Sequence, residues 1–87
     1  MKITDIRIRL IDNNENKLKA YASMTIDDCF VVHNLKVLEG KDGLFVGMPR
    51  RPNNEKDLCH PLNTETRQEI NKLVIAKYEE EKNKAEA

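Results

Sequence analysis

The 87-residue chain has no tryptophan, and tyrosine and phenylalanine occur only twice each. A core without large rings must be aliphatic, and with 39% of residues apolar it must also be thin. One domain, spanning residues 1–87, is the ceiling at this length. A chain so small buries only about 60–65% of its unfolded surface, which makes self-association attractive. Net charge is missing as well: 15 Lys and Arg balance 15 Asp and Glu. That balance removes the simplest argument for a polyanionic partner, a uniformly basic chain. No apolar run approaches the roughly 20 residues of a membrane-spanning helix, so no membrane insertion is expected. The amino end, Met1-Lys2-Ile3-Thr4-Asp5, lacks the apolar segment of a secretory signal, and a cytoplasmic location is expected. Cysteine is sparse too, and Cys29 and Cys59 are too isolated to read as a disulfide framework.

Catalytic and metal-binding patterns are equally scarce. The two Cys and two His match the ligand count of a zinc site, but their spacing does not fit one. Cys29 and His33 fall on one extended segment and Cys59-His60 are adjacent, so no CxxC or HxxxH pair seeds a tetrahedral site. No metal and no cofactor are expected. There is no nucleophile elbow and no glycine-rich phosphate loop, and Asp27-Asp28 reads as turn chemistry rather than as a carboxylate pair. No catalytic residue is assigned, and the chain is read as a non-enzyme.

Alternation is the feature the sequence does have. Ile6, Ile8 and Leu10 point one way and Arg7 and Arg9 the other, the period of a half-buried strand. Asp12-Asn13-Asn14-Glu15-Asn16 has turn chemistry. Leu18, Ala20, Ala22, Met24 and Ile26 then alternate with Lys19, Tyr21, Ser23 and Thr25, up to a candidate two-residue hairpin at Asp27-Asp28. A third strand follows over Phe30–Leu38, a fourth over Leu44–Met48, and a short return strand over Asp57–His60. Asn63 or Thr64 can cap a helix in which Thr66, Ile70, Leu73, Val74 and Tyr78 share one face. The charged segment from Glu79 to Ala87 is expected to fray. The fold class is therefore α+β: an antiparallel meander of about five strands with a C-terminal amphipathic α-helix.

Register arithmetic extends this. A first turn centred on Asn14 sets Leu10 against Leu18, Ile8 against Ala20 and Ile6 against Ala22. A second turn at Asp27-Asp28 sets Met24 against Val31 and Ala20 against Leu35, and puts His33 near Ala22 on the covered face. On the other face Arg9, Lys19 and Lys36 then line up across three strands, with Arg7 beside Tyr21. Like charges directly opposite one another are mildly destabilising, so such a row invites an anion. The competing reading is an ordinary solvated face.

Beyond Pro49, Arg50-Arg51-Pro52-Asn53-Asn54-Glu55-Lys56 is polar and aperiodic and reads as a mobile loop. Arg50, Arg51 and Lys56, with Arg67 in the first turns of the helix, are candidate phosphate ligands, because guanidinium groups pair bidentately with phosphate oxygens. The alternative is a solubilising loop.

Four strings in order, Met1–Arg9, Phe30-Val31-Val32-His33, Gly43-Leu44-Phe45-Val46-Gly47-Met48-Pro49 and His60-Pro61-Leu62-Asn63, resemble the bacterial SpoVG family, stage V sporulation or septation protein G. The resemblance runs from residue 1 to about 80. It implies a homodimer of small α+β subunits and a cytosolic regulator of septum formation and sporulation that binds DNA and RNA. It also implies nucleic-acid contacts at Arg50 and Arg51 after the Met-Pro pair, and at Arg67 and Lys72 on the C-terminal helix. Two departures stand out. Pro52-Asn53-Asn54 occupies the place of a Thr-Pro-Asp-Gly turn, and Asn34 stands where Asp commonly follows the strand histidine.

A rival function is a protein-interaction adaptor of the division machinery, with Tyr21, Phe30 and Val32 forming an apolar strip on the outer face. The charge balance itself is a cancellation. Residues 1–52 carry nine Lys and Arg against seven Asp and Glu, while residues 53–87 carry six against eight. A polyanion would therefore be met locally, by a basic sheet-and-loop surface.

Overall fold

The computed structural model describes residues 2–11 and 17–86. Its elements run β1 (Ile3–Leu10), β2 (Leu18–Ile26), β3 (Phe30–Gly40), β4 (Gly43–Gly47) and α1 (Thr64–Glu86). The strands form one antiparallel sheet in chain order, with α1 packed on one face. The α+β class expected from the sequence is observed, but the strands number four among the described residues. The expected return strand over Asp57–His60 is reduced to a single bridge, Arg50 with Asp57. One further bond follows it, Leu58 N–H to the Pro49 carbonyl at 2.7 Å. Pro49, Pro52 and Pro61 bracket this segment, and prolines lack the N–H that a longer ladder would need. The turn expected over Asp12–Asn16 lies outside the described residues.

The helix begins where its cap allows. The Asn63 side-chain oxygen accepts a bond from the Thr66 N–H at 2.8 Å, so Asn63 is the N-cap. Ile70, Val74 and Tyr78 are buried and Thr66 and Leu73 half-buried, the face read from the sequence. They close over Ala20, Ala22, Met24, Leu35, Val37, Val46 and Met48. Ala20 and Ala22, at the centre of β2, are the smallest side chains in this layer. Leu35, Val37 and Val74 are fully enclosed, each contributing about 1.5–3 kcal/mol by leaving water. Asn71 adds a polar tie, its side-chain oxygen accepting the Val46 N–H of the edge strand at 3.1 Å. The helix continues to Glu86 through the segment expected to fray. There, Lys77 and Lys84 each pair with Glu80 and Glu81 at i±3 and i±4 spacings. The hydrogen bond from Lys84, then the charge of Lys77, hold the Glu80 carboxyl below its ordinary value of 4.5.

The observed register corrects the sequence reading at both hairpins and within β3. Across β1 and β2, Leu10 faces Ala20, Ile8 faces Ala22 and Ile6 faces Met24. The predicted partners are thus displaced by two residues, a slip that keeps each side chain on its face because the strand period is two. At the second turn Asp27 and Asp28 both have positive φ, 52° and 56°, as in a type I′ turn. Cys29 follows as an added residue, so Ile26 pairs with Phe30 and Met24 with Val32 rather than with Val31. Further along β3, His33 and Asn34 together oppose the single residue Ser23, a β-bulge with Asn34 at φ 64°. Ala20 faces Val37 rather than Leu35, and Leu35 faces Ala22.

The bulge re-aims the strand. Val32 and Leu35, three residues apart, both pack toward the helix, while His33 is exposed rather than sheltered beside Ala22. The apolar strip of Tyr21, Phe30 and Val32 does not form, because Val32 joins the core side and Phe30 lies opposite Ile26. Asn tolerates the left-handed conformation through its short polar side chain, whereas a β-branched residue there costs roughly 1–2 kcal/mol. Asn34→Gly is therefore expected to keep the melting midpoint near that of the parent, and Asn34→Val to lower stability by about 1–2 kcal/mol. Equal midpoints for the two variants in thermal unfolding would remove the bulge from this role.

Candidate nucleic-acid interface

Covering one sheet face with α1 leaves the other without a helix; the alternation of β1 and β2 puts Arg7, Arg9, Tyr21 and Ser23 on it, and β3 adds Lys36 together with the apolar Val31 and Leu38. Arg7 lies opposite Ser23, Arg9 opposite Tyr21, and Tyr21 opposite Lys36. The row predicted as Arg9, Lys19 and Lys36 is thus Arg9, Tyr21 and Lys36. Lys19 is displaced by the register and pairs instead with Glu39 at 3.2 Å. An aromatic ring replaces the middle charge, which relieves the like-charge opposition and places cations on both sides of an exposed ring.

The next position across the sheet from Lys36 is Gly47. A Cβ at Gly47 would stand 3.1 Å from Leu38 Cδ1 and 3.8 Å from Lys36 Cβ, so the glycine makes room for the Leu38 side chain beside Lys36. The loop that follows β4, expected from the sequence to be mobile, carries a set of local hydrogen bonds. Asn54 N–H donates to the Arg51 carbonyl at 3.1 Å, with Asn53 at φ 63°. Pro52 and Asn53 thus occupy the central positions of a type II turn, where proline supplies the first φ and asparagine accepts the positive second. The Asn54 side chain accepts the Lys56 N–H at 2.9 Å. Arg50 Nε donates to Asp57 Oδ1 at 2.7 Å, closing the base of the loop across the Arg50–Asp57 bridge.

This loop folds beside the bare sheet face. Tyr21, Asn34, Lys36, Arg50 and Arg51 line one open cleft of about 880 Å³, together with Pro52–Glu55. On its other side Tyr21, with Asn34 and His33, borders a second depression of about 320 Å³ whose walls include Arg7 and Arg9. Two basic groups that are remote in sequence, Arg7/Arg9/Lys36 and Arg50/Arg51, therefore share one surface. Arg7 is partly neutralised by Asp5 at 3.3 Å, and Arg50 by Asp57, whereas Arg9, Lys36 and Arg51 have no ion pair among the described residues. The Arg50 bond engages Nε, and the guanidinium, half exposed, keeps its remaining N–H donors.

The other predicted contacts do not join this surface. Lys56 is exposed and lines neither depression. Arg67 and Lys72 are exposed on α1, which packs on the opposite face of the sheet, and they diverge by about 140° around the helix. Cys29, Cys59, His33 and His60 are all exposed, and no group of three or more His, Cys, Asp or Glu is placed to hold a metal among the described residues. No described helix is long and apolar enough to cross a membrane. The sequence reading missed Asp57 as the partner of Arg50, and Asn34 and His33 as members of the face. The Pro52-Asn53 dipeptide carried a usable signal for the type II turn; the bulge had none beyond an asparagine in a strand.

Fold and surface define a class: a small α+β protein whose helix seals one side of an antiparallel meander and leaves a cationic, aromatic-centred face on the other. The family model that matches is SpoVG, over residues 1–80, and the chain belongs to that family. Three similar proteins carry the name "Putative septation protein SpoVG". That of Caldicellulosiruptor bescii is 52% identical, covering 91% of this chain and 92% of the relative. That of Clostridium acetobutylicum is 52% identical over 99% of this chain and 93% of the relative. That of Clostridium novyi is 55% identical over 95% and 85% respectively.

Proposed function

We propose that the chain is a non-enzymatic, cytoplasmic regulator that binds DNA and RNA through its bare sheet face and the Arg50–Asp57 loop, in the service of septum formation and, where the organism sporulates, sporulation. The observation that carries this reading is the convergence of Arg7, Arg9, Lys36, Arg50 and Arg51 on two adjoining depressions. Neutrality of the whole chain does not weaken it. The acidic excess sits on the C-terminal helix, packed on the other face of the sheet, where Glu80 and Glu81 pair with Lys77 and Lys84. Guanidinium and ammonium groups on a shallow surface suit phosphate oxygens, and each phosphate neutralised releases condensed counterions. The septation role rests on the names of the relatives. Arg67 and Lys72 would serve as a separate, weaker contact.

Homodimerisation belongs to the same reading. The outer edge of β1 has no neighbouring strand within the sheet, and Leu58 and Leu62 are exposed, the latter at 91%. An unpaired edge is a template for a second chain, and two copies double a modest set of phosphate contacts. Light scattering is expected to give the mass of two chains at micromolar concentration; a mass of one would overturn this part. Binding is tested by anisotropy titration of labelled oligonucleotides across a salt series. Arg51→Ala is expected to weaken binding to all sequences alike and to reduce the slope of log K against log salt by about 0.7–0.9. An unchanged affinity and slope would contradict the assignment.

A further inference from the structure

Tyr21 stands on the ridge between the two depressions and lines both. Its residue is 38% exposed at the centre of a sheet, where a ring would ordinarily be sought by the core. Arg9 faces it across β1 and Lys36 across β3, so cations flank the ring on both sides over about 10 Å, twice the strand spacing. Beyond Lys36 the cationic line continues into Arg51, which lines the same cleft. The second tyrosine, Tyr78, is buried against the sheet and unavailable.

A ring presented between two cationic clefts matches a ligand with a planar apolar group and a negative charge on either side. That is one unpaired nucleotide in a chain, with its base on the ring and the flanking phosphates in the clefts. A duplex offers the clefts its phosphates but keeps its bases stacked inside, where the ring cannot reach them. We infer that the preferred ligand of this face is single-stranded nucleic acid, with one unpaired base stacked on Tyr21 between phosphates held by Arg7 and Arg9 on one side and Lys36 and Arg51 on the other. This rests on the nucleic-acid reading above and adds the strandedness of the ligand and the stacking residue. His33 and Asn34 border the same ridge and supply polar groups toward base edges. Ribose and deoxyribose strands share the chemistry of phosphate and base that the face recognises.

The test uses the full chain with a short single-stranded RNA, the DNA of the same sequence, and the matching duplex, all at one salt concentration. Tyr21→Leu keeps an apolar side chain of useful bulk on the sheet but has no π-face, and Tyr21→Phe keeps the ring. Tyr21→Leu is expected to lose roughly 5- to 100-fold in affinity for single strands with duplex affinity unchanged, while Tyr21→Phe binds like the parent. The chain has two tyrosines and no tryptophan, so single strands should quench the tyrosine emission attributable to Tyr21, a change absent in Tyr21→Phe. Circular dichroism verifies that each variant is folded, and Tyr21→Phe carries the fluorescence test if Tyr21→Leu is not. Single strands that bind Tyr21→Leu as tightly as the parent, or a duplex that binds the parent more tightly than either strand, overturn this inference and leave the phosphate-binding reading intact. Failure of the parent to bind any of the three overturns both. A difference between the RNA and DNA arms assigns the source of the strand without altering the role of Tyr21.

Discussion

The contact of α1 with one face of the sheet governs everything else in this chain. Ile70, Val74 and Tyr78 enclose Ala20, Ala22, Leu35 and Val37, and nearly all the fully removed apolar surface is in that layer. With no tryptophan and few rings, the layer is thin and cannot be shared between two faces. It follows that the opposite side of the sheet must be wet. The burial of Ala20 and Ala22 under α1 and the tie from Asn71 to Val46 at 3.1 Å mark which side that is.

Given that constraint, the strand irregularities are what preserve it. Without the bulge at His33-Asn34, a strict period would send either Val32 or Leu35 away from the helix. The positive φ of Asn34 absorbs one extra residue and keeps both inside. The same device turns His33 and Asn34 toward the cationic side, so a feature that serves the core also furnishes the face. Asp57 works in a comparable double sense. It fixes the base of the Arg50–Arg51 loop at 2.7 Å while tempering the charge of Arg50, so that Arg51 is the freer cation.

Faces were far more legible in the sequence than partners. Alternation identified Ile6, Ile8, Ala20, Ala22 and Met24 as one side and Arg7, Arg9 and Tyr21 as the other, because face depends only on odd or even position. Partner identity depends on the length of each turn and on each bulge, and period-two patterning is blind to an added residue such as Cys29 or Asn34. That is why the expected Arg9, Lys19 and Lys36 row became Arg9, Tyr21 and Lys36. Most of the helix face was legible, since the 3.6-residue spacing of Ile70, Val74 and Tyr78 is a local signal, but Ile75, which also packs on the core, and the Asn71 tie were not read. The convergence of Arg50 and Arg51 with Arg7, Arg9 and Lys36 was not legible, because it depends on where the loop after β4 folds back. The helix positions Arg67, read from its charge in the first turns, and Lys72, brought forward by resemblance alone, are on α1, on the other face of the sheet.

The central claim is that the face opposite α1 is the working surface. Backbone amide shift mapping by NMR, as an oligonucleotide is titrated in, addresses it most directly. The account predicts perturbations concentrated at Arg7, Arg9, Tyr21, His33, Asn34 and Lys36 and in the loop from Arg50 to Asp57, with only weaker changes on α1, at Arg67 and Lys72. Perturbations centred on Arg67 and Lys72, with the β1–β3 face silent, would contradict it.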